Sequence, residues 1–240
     1  MRRALIAAFC ALLLAPLGAR AGNGAQDYSP AERLLFMTAQ LKDVQPPAQL
    51  RYAFKKSGSL EEGFTDGVTV ALSARADGGC CDAKGAFLSA ARQQQTPDVP
   101  GARGNPVILY FLEHDVREMK RLTGGAENHF RQRIRMAVYQ GAQVRDATFQ
   151  YRGRAVQGQE VTFSPYLDDP NRPKYEKFVR KNYCFMLSRA VPGGVYGIRT
   201  EIPGDGKTDA QALVVEELFL EGAQLPFPGS TIAPDTRSSS

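Results

Sequence analysis

The stretch QLRYAFKKSGSLEEGFTDGVTVALSA, residues 49–74, decides the fold. Both of its ends carry apolar residues at every second position, a period typical of half-buried β-strands. The central run SGSLEEG is rich in turn-forming residues, and two strands joined by such a run form a hairpin. The alternating apolar positions are Leu50, Tyr52 and Phe54 in the first strand and Phe64, Val68, Val70 and Leu72 in the second. The stretch therefore predicts an antiparallel pair of strands.

A helix is predicted immediately upstream, in SPAERLLFMTAQLKDV (29–44). Ser29 suits the N-cap and Pro30 the first turn, and Glu32 follows the cap by three residues, which is the capping-box pattern. A Pro-Pro pair then ends the helix, because proline cannot continue it.

Two longer helices are predicted downstream, in residues 105–125 and 126–141. Asn105 is placed to cap the first of them, and Gly124 is placed to end it in the left-handed conformation. Each helix has an apolar stripe, formed by Ile108, Leu112, Val116 and Met119 in the first and by Phe130, Ile134, Ala137 and Val138 in the second. The preceding residues 75–104 are too poor in apolar side chains to predict a core element.

The rest of the chain predicts mainly strands, which lie in DATFQYRG (146–153), QEVTFSPY (159–166), NYCFMLS (182–188), GVYGIRTEI (194–202) and ALVVEELFL (212–220), with a short helix in RPKYEKFVRK (172–181). Strands and helices do not alternate as β-α-β, which argues against a parallel sheet. We therefore predict a single α+β domain over residues 22–224, in which helices cover one face of an antiparallel sheet.

The N-terminal run MRRALIAAFCALLLAPLGARAG has the layout of a secretory signal peptide. Two arginines precede an apolar segment, and Ala19 and Ala21 supply a small-residue cleavage pattern. We predict a signal peptide at residues 1–21, cleavage after Ala21 and export to the periplasm. The C-terminal residues 225–240 are polar and proline-bearing, and they are predicted to form a disordered tail.

Charge and hydropathy exclude two classes of partner. Cleavage removes Arg2, Arg3 and Arg20, which lowers the basic count from 30 to 27 against 25 acidic residues and the formal charge from +5 to +2. So small an excess does not predict a nucleic-acid-binding protein. No other segment has the roughly 20 apolar residues of a membrane-spanning helix, so no transmembrane span is predicted.

Three cysteines remain after cleavage, and two of them are adjacent in the polar run ARADGGCCDAKG. An exported chain permits disulfides. We expect either Cys80 or Cys81 to bridge to Cys184 and to fasten this run to the sheet. A vicinal bridge and unpaired thiols remain the alternatives. No metal or cofactor is predicted, because only His114 and His129 could join the cysteines as ligands, and C-x-x-C and H-E-x-x-H motifs are absent.

Several charged groups invite a functional interpretation. His114 lies beside Asp115 and within one turn of Glu118, which suits acid–base work, but a solvated helix face is the favoured interpretation. Arg131 and Arg135 share a helix face and are candidates to contact an anionic partner, with a plain basic surface as the alternative. In the last strand Glu216 and Glu217 must face opposite sides, so one of them points toward the core or a cavity.

The leader, the early helix, the LRYAF…VTVAL hairpin, the helices and the closing strands together resemble periplasmic lipoprotein carriers of the LolA type. That resemblance implies a strongly curved antiparallel sheet, an incomplete barrel, with helices over its concave apolar face. It also implies an envelope protein that holds an acyl chain or apolar segment in the concavity. The insertion GGCCDAKG…GARGN departs from that layout, and no functional residue is carried over from the family.

Three hypotheses of function follow. The first is a non-enzymatic binding or carrier module whose partner is a lipid, a lipoprotein acyl chain or an apolar segment. The second is a structural or interaction protein of the envelope with a filled core. The third is an enzyme, either thiol-dependent through Cys80 or Cys81 or a hydrolase with dispersed acids. A concave cavity lined by Phe and Tyr would favour the first over the second.

Overall fold

A computed structural model describes residues 28–77, 80–204 and 211–224 of the chain. The predicted signal peptide and the predicted C-terminal tail lie outside these residues. Within them, no helix is both long and apolar enough to cross a membrane. The eight strands are β1 Ala48–Ser57, β2 Phe64–Ala74, β3 Cys80–Phe87, β4 Gln143–Tyr151, β5 Arg154–Phe163, β6 Asn182–Leu187, β7 Val195–Ile202 and β8 Val214–Leu220.

These strands form one antiparallel sheet in the order β3-β2-β1-β8-β7-β6-β5-β4. Strand β4 lies four strand positions from β8 in the sheet, yet the C-terminal end of β4 forms hydrogen bonds with the residues that follow β8. The Arg152 amide donates to the Gly222 carbonyl at 2.8 Å, and the Gln224 amide donates to the Gln150 carbonyl at 3.0 Å. The sheet is therefore strongly curved, but it is not closed, because β3 and β4 remain separate edges. The predicted α+β class and curved antiparallel sheet are confirmed.

The hairpin that decides the fold forms as predicted. Strands β1 and β2 pair from Ala48 with Leu72 to Lys56 with Phe64. The alternating apolar side chains of both strands are buried. Alternation buries one face of each strand, and that requirement fixes the pairing register. Strand β1 then pairs on its other side with β8, so the first and last strands of the chain are neighbours in the middle of the sheet.

Strand β3 corrects the expectation that residues 75–104 contribute nothing to the core. It pairs with β2, and Cys81, Ala83 and Phe87 are buried. The segment that follows pairs with its outer edge through Ala83 with Val99 and Phe87 with Gln94. An edge strand needs only a few small apolar side chains on one face, because the backbone ladder supplies the remaining stabilisation. The low number of apolar residues in this segment therefore did not predict strand β3.

The first helix is shorter than predicted. Ser29 forms the expected capping box with Glu32, but α1 (Pro30–Glu32) passes into a π-helical turn that ends at Met37. Thr38 is extended, so the helix does not continue past Met37. The side chain of Gln40 makes a tertiary contact, because its Oε1 accepts a hydrogen bond from the Asn105 backbone amide at 3.0 Å. These contacts hold residues 38–44 against the rest of the domain.

The two long helices lie close to their predicted positions as α2 (Val107–Thr123) and α3 (Glu127–Gln140). Gly124 has a φ of 70° and ends α2 as expected. Asn105 accepts a hydrogen bond from the Val107 amide at 3.1 Å. Side chains of α2 reach β1, β6 and β8, as the site below shows. The predicted helix at 172–181 is replaced by two short 3-10 turns, Arg172–Lys174 and Glu176–Phe178.

Candidate functional site

An apolar cavity of about 430 Å³ lies between residues 34–44, strands β5 and β6, and the turn from β6 to β7. Such a volume falls within the range of small-molecule sites. Nine of its seventeen lining residues are apolar or glycine, and none of the described lining residues is aromatic. The nine apolar and glycine residues are Leu34, Ala39, Val44, Gly158, Leu187, Val191, Pro192, Gly193 and Gly194. The other eight are polar or charged: Thr38, Gln40, Lys42, Asp43, Gln157, Gln159, Ser188 and Arg189.

Two buried features set the shape of this apolar cavity. Asn105 donates to the Gly193 carbonyl and to the Tyr52 hydroxyl, both at 2.8 Å, which fixes the β6–β7 turn against β1. Gly193 and Gly194 have φ values near 70°, and a Cβ on Gly194 would lie 2.9 Å from Gln40. The turn and residues 38–44 therefore approach each other as closely as glycine permits.

The phenylalanine and tyrosine rings pack against one another instead of lining the cavity. Phe163 stacks on Tyr183 with ring centroids 4.9 Å apart, and Phe149 stacks on Tyr196 at 4.6 Å. Pairs of this kind add about 0.5–1.5 kcal/mol each beyond their burial. The aromatic lining that would have favoured a carrier is absent from the described part of this cavity, whose lining mixes aliphatic, glycine and polar residues.

A buried polar network lies beneath α2. Lys181 forms an ion pair with Asp115, and both side chains are at most 1% exposed. The Tyr183 hydroxyl donates to the other oxygen of Asp115 at 2.5 Å, and the Tyr166 hydroxyl lies 3.2 Å from that of Tyr183. Burial raises the pKa of Asp115, against the opposing effect of the Lys181 ammonium.

A second group of charges adjoins this buried network. His114 Nε2 lies 3.3 Å from Glu216 Oε1, and Lys56 Nζ lies 3.8 Å from the same oxygen. Lys56 also binds Glu118 at 2.7 Å and Glu61 at 2.9 Å. Burial raises the pKa of Glu216, while His114, Lys181 and Lys56 lower it, and the lowering prevails.

Lys56, Glu61, His114 and Glu118 of this group also line a polar pocket of about 610 Å³ that opens to solvent, whereas Glu216 is not among its lining residues. The pocket lies between the β1–β2 turn, the segment 88–94 after β3, and α2. Its charged and polar lining residues are Lys56, Glu61, Glu62, Arg92, Gln93, Gln94, His114, Glu118 and Arg121. The polar pocket and the apolar cavity are separate, and no residue lines both.

The favoured interpretation of His114 and Asp115 as a solvated helix face is wrong, because both side chains are at most 3% exposed. The spacing of residues along α2 already indicated that Asp115 is buried. Asp115 follows Phe111 by four residues and precedes Met119 by four, so it belongs to the apolar stripe of α2. The expectation for the last strand is confirmed: Glu216 is buried, and Glu217 faces the other side of β8 with Arg199.

The two candidate arginines of α3 have different surroundings. Arg131 is held by Glu113 through paired hydrogen bonds and by Glu127 at 2.8 Å. Arg135 is exposed. Contact with an anionic partner therefore remains a prediction for Arg135, whereas Arg131 already has two carboxylate partners.

The predicted bridge to Cys184 is corrected by the sheet order. Cys80 and Cys81 lie in β3, whereas Cys184 lies five strand positions away in β6. A bridge needs Cα atoms within about 7 Å of each other. The structure places the sulfurs of Cys80 and Cys81 against each other and leaves Cys184 free. Burial raises the pKa of the Cys184 thiol to about 12.

Glu118 should make the stability of the protein dependent on pH. Burial raises its pKa, but Arg121 and Lys56 outweigh burial and lower it from 4.5 to about 2. A lowered pKa stabilises the folded state above pH 4.5, and that stabilisation is lost as the pH falls toward 2. We expect up to about 3 kcal/mol of unfolding free energy to disappear across this interval.

The measurement is urea denaturation of wild type and Glu118→Gln at several pH values between 6 and about 2.5. The variant should be less stable at pH 6 and should show a clearly smaller decline with acid. Glu62→Gln, which removes an exposed carboxylate nearby, should keep the wild-type decline. An unchanged decline in Glu118→Gln would refute the assignment.

No protein-family model matches the chain, and no curated protein matches it.

Proposed function

We propose that this chain is an exported periplasmic binding or carrier module for an acyl chain. The observation that carries the proposal is the aliphatic cavity of about 430 Å³ between residues 34–44 and strands β5 and β6. A saturated acyl chain is flexible, and the aliphatic and glycine part of the lining matches it better than flat aromatic walls would. Export through a cleaved signal peptide at residues 1–21 is part of the proposal.

The fold supports this proposal. A strongly curved antiparallel sheet leaves a concave face, and mouths of barrel-like sheets are common ligand sites. In the proposed carrier, the helices cover that face as in the LolA-type proteins that the sequence resembles. Residues 34–44 then form the outer wall of the cavity. They are the wall most easily displaced, because they contain no regular helix beyond Met37.

The test is displacement of a fluorescent acyl probe, 11-(dansylamino)undecanoic acid, from the purified chain by palmitate. We expect saturable probe binding that palmitate abolishes. Leu34→Trp should weaken binding at least tenfold, because Leu34 lines the cavity and the larger ring fills it. Leu167→Trp makes the same substitution at an exposed position and should change binding less than twofold.

Two outcomes would contradict the proposal. Wild-type protein that does not bind the probe would favour the alternative of a structural or interaction protein of the envelope. Equal binding by both variants would place the probe outside this cavity. Native mass spectrometry of protein purified from the periplasm supplies an independent readout, because a bound lipid should appear as added mass that Leu34→Trp removes.

A further inference from the structure

The apolar cavity has room for one hydrocarbon chain. Its volume is about 430 Å³. A methylene group takes up about as much space as a water molecule, roughly 30 Å³, so the cavity holds a single chain of up to about 14 carbons. A lipid that inserted two or three acyl chains would need a correspondingly larger cavity. The volume therefore favours a ligand with a single chain.

The polar side chains of the inner lining are already hydrogen-bonded within the protein. The polar lining residues that are not exposed are Thr38, Gln40, Gln159 and Ser188. Gln40 donates to the Leu34 carbonyl at 2.9 Å, and Ser188 donates to the Gln157 carbonyl at 2.6 Å. Thr38 donates to a backbone carbonyl at 2.8 Å and Gln159 to a carboxylate at 3.2 Å. An apolar chain can therefore occupy the inner cavity without leaving these groups unpaired.

The charged residues of the lining lie at the solvent side of the cavity and form its rim. They are Lys42, Asp43 and Arg189, and all three are exposed. Lys42 Nζ lies 3.8 Å from Asp43 Oδ2, so the one carboxylate of the rim has a cation beside it. Arg189 has no carboxylate partner among the residues that the structure describes. The rim thus carries two positive charges against one negative charge, and it attracts an anion.

The backbone on both sides of Arg189 is fixed. Arg189 directly follows Leu187 and Ser188, which are buried lining residues. The Ser188 amide donates to the Gly194 carbonyl at 3.0 Å, and the Ala190 amide donates to the Ser188 hydroxyl at 3.2 Å. These bonds hold the Arg189 backbone at the boundary between the cavity and solvent, from which its long side chain can reach a group at the opening.

We propose that the apolar cavity binds one single-chain anionic amphiphile, with its chain inside and its charged head on Arg189. A guanidinium group pairs with a carboxylate or a phosphate through two parallel hydrogen bonds. The head is therefore either the carboxylate of a fatty acid or the terminal phosphate of a lysolipid. This inference rests on the proposed function and narrows it, because it specifies the number of chains and the charge of the ligand.

The experiment is isothermal titration of the full chain with decanoate and with decyltrimethylammonium at low ionic strength. The two probes have chains of the same length and heads of opposite charge. We expect decanoate to bind about tenfold more tightly, because an exposed ion pair contributes modestly. Equal affinities would overturn the anionic head and leave acyl-chain binding intact. Failure of both probes to bind would overturn the proposed function together with this inference.

Charge variants test the contact with Arg189. Arg189→Glu should remove the preference for decanoate and bring the two affinities within about twofold, and Arg189→Gln should give an intermediate ratio. Arg172→Glu makes the same charge change at an exposed position outside the cavity and should keep the wild-type ratio. Equal effects of the two glutamate variants would overturn the assignment to Arg189.

A gain of affinity supplies a readout that misfolding cannot produce. Asp43→Asn removes the one carboxylate of the rim, so decanoate should bind about twofold more tightly. Weaker binding in Asp43→Asn would overturn the description of the rim.

A series of fatty acids tests the single chain. Affinity should rise several fold with every two carbons from decanoate to tetradecanoate, because each added methylene is buried. Octadecanoate should stay within about twofold of tetradecanoate, because the cavity is then full. A continued rise to octadecanoate would overturn the limit set by the volume. Decyl phosphate identifies the head: tighter binding than decanoate assigns the site to a lysolipid phosphate, and weaker binding assigns it to a fatty-acid carboxylate.

Discussion

Lys181→Met should lower the unfolding free energy by about 3–5 kcal/mol, the usual loss when one partner of a buried ion pair is removed. Methionine keeps most of the volume of the lysine chain but none of its charge. Asp115 is then left as a fully buried carboxylate with Tyr183 as its remaining close donor. Urea denaturation at pH 7 measures the loss.

The pH dependence distinguishes this electrostatic effect from a packing defect. Burial already raises the pKa of Asp115, and removal of the Lys181 ammonium raises it further. A group with a raised folded pKa loses its stabilising contribution as the pH rises, so Lys181→Met should be least stable at high pH. The deficit relative to wild type should shrink as the pH falls and Asp115 takes up a proton.

Two controls complete the experiment. The double variant Asp115→Leu with Lys181→Met should recover most of the loss, because apolar replacement of both partners leaves no buried charge. Lys120→Met removes a lysine from an exposed pair with Glu127, and it should cost less than about 1 kcal/mol. A loss below 1 kcal/mol in Lys181→Met would show that the buried pair does not stabilise the fold.

Phe54→Ala should destabilise the protein by about 3–5 kcal/mol, through lost burial and the cavity left behind. Phe54 is 1% exposed, and its ring lies 5.6 Å from Phe64, 6.1 Å from Phe87 and 5.4 Å from His114. It therefore joins the first three strands to α2. Thermal and urea unfolding measure the loss.

The matched control is Phe36→Ala, where the ring is 40% exposed. It should cost less than about 1 kcal/mol. Equal effects at the two positions would contradict the packing described for β1.

The parts of the fold that were predictable are those with strong periodicity. The hairpin of β1 and β2 and the two long helices each bury one face, so a local pattern reports them. Strands β6, β7 and β8 are buried along nearly every residue, and their apolar runs between turn signals report them. Strand β3 was missed because its identity comes from pairing with β2, which is a property of the partner. The early helix was overestimated because Gln40 and its neighbours gain more from tertiary contacts than from a further helical turn.

The candidate site was less predictable than the fold. Glu216 was singled out by its strand position and Asp115 was misjudged, although the apolar stripe of α2 contains it. Lys181 and Lys56 are partners that no local pattern identifies, since each meets its carboxylates only when distant elements pack. The aliphatic cavity likewise arises where residues 34–44 meet the β6–β7 turn, segments separated by about 150 residues in the chain.

The segment that follows β3 has a consequence for self-assembly. Along the outer edge of β3, Val99 exchanges both backbone hydrogen bonds with Ala83, and the carbonyls of Cys81, Gly85 and Phe87 accept from Ala102, Thr96 and Gln94. A strand edge whose outward carbonyls are already used is a poor template for a second molecule. The polar segment after β3 thus hinders edge-to-edge pairing of two molecules at β3. The edge that remains for an added strand is that of β4.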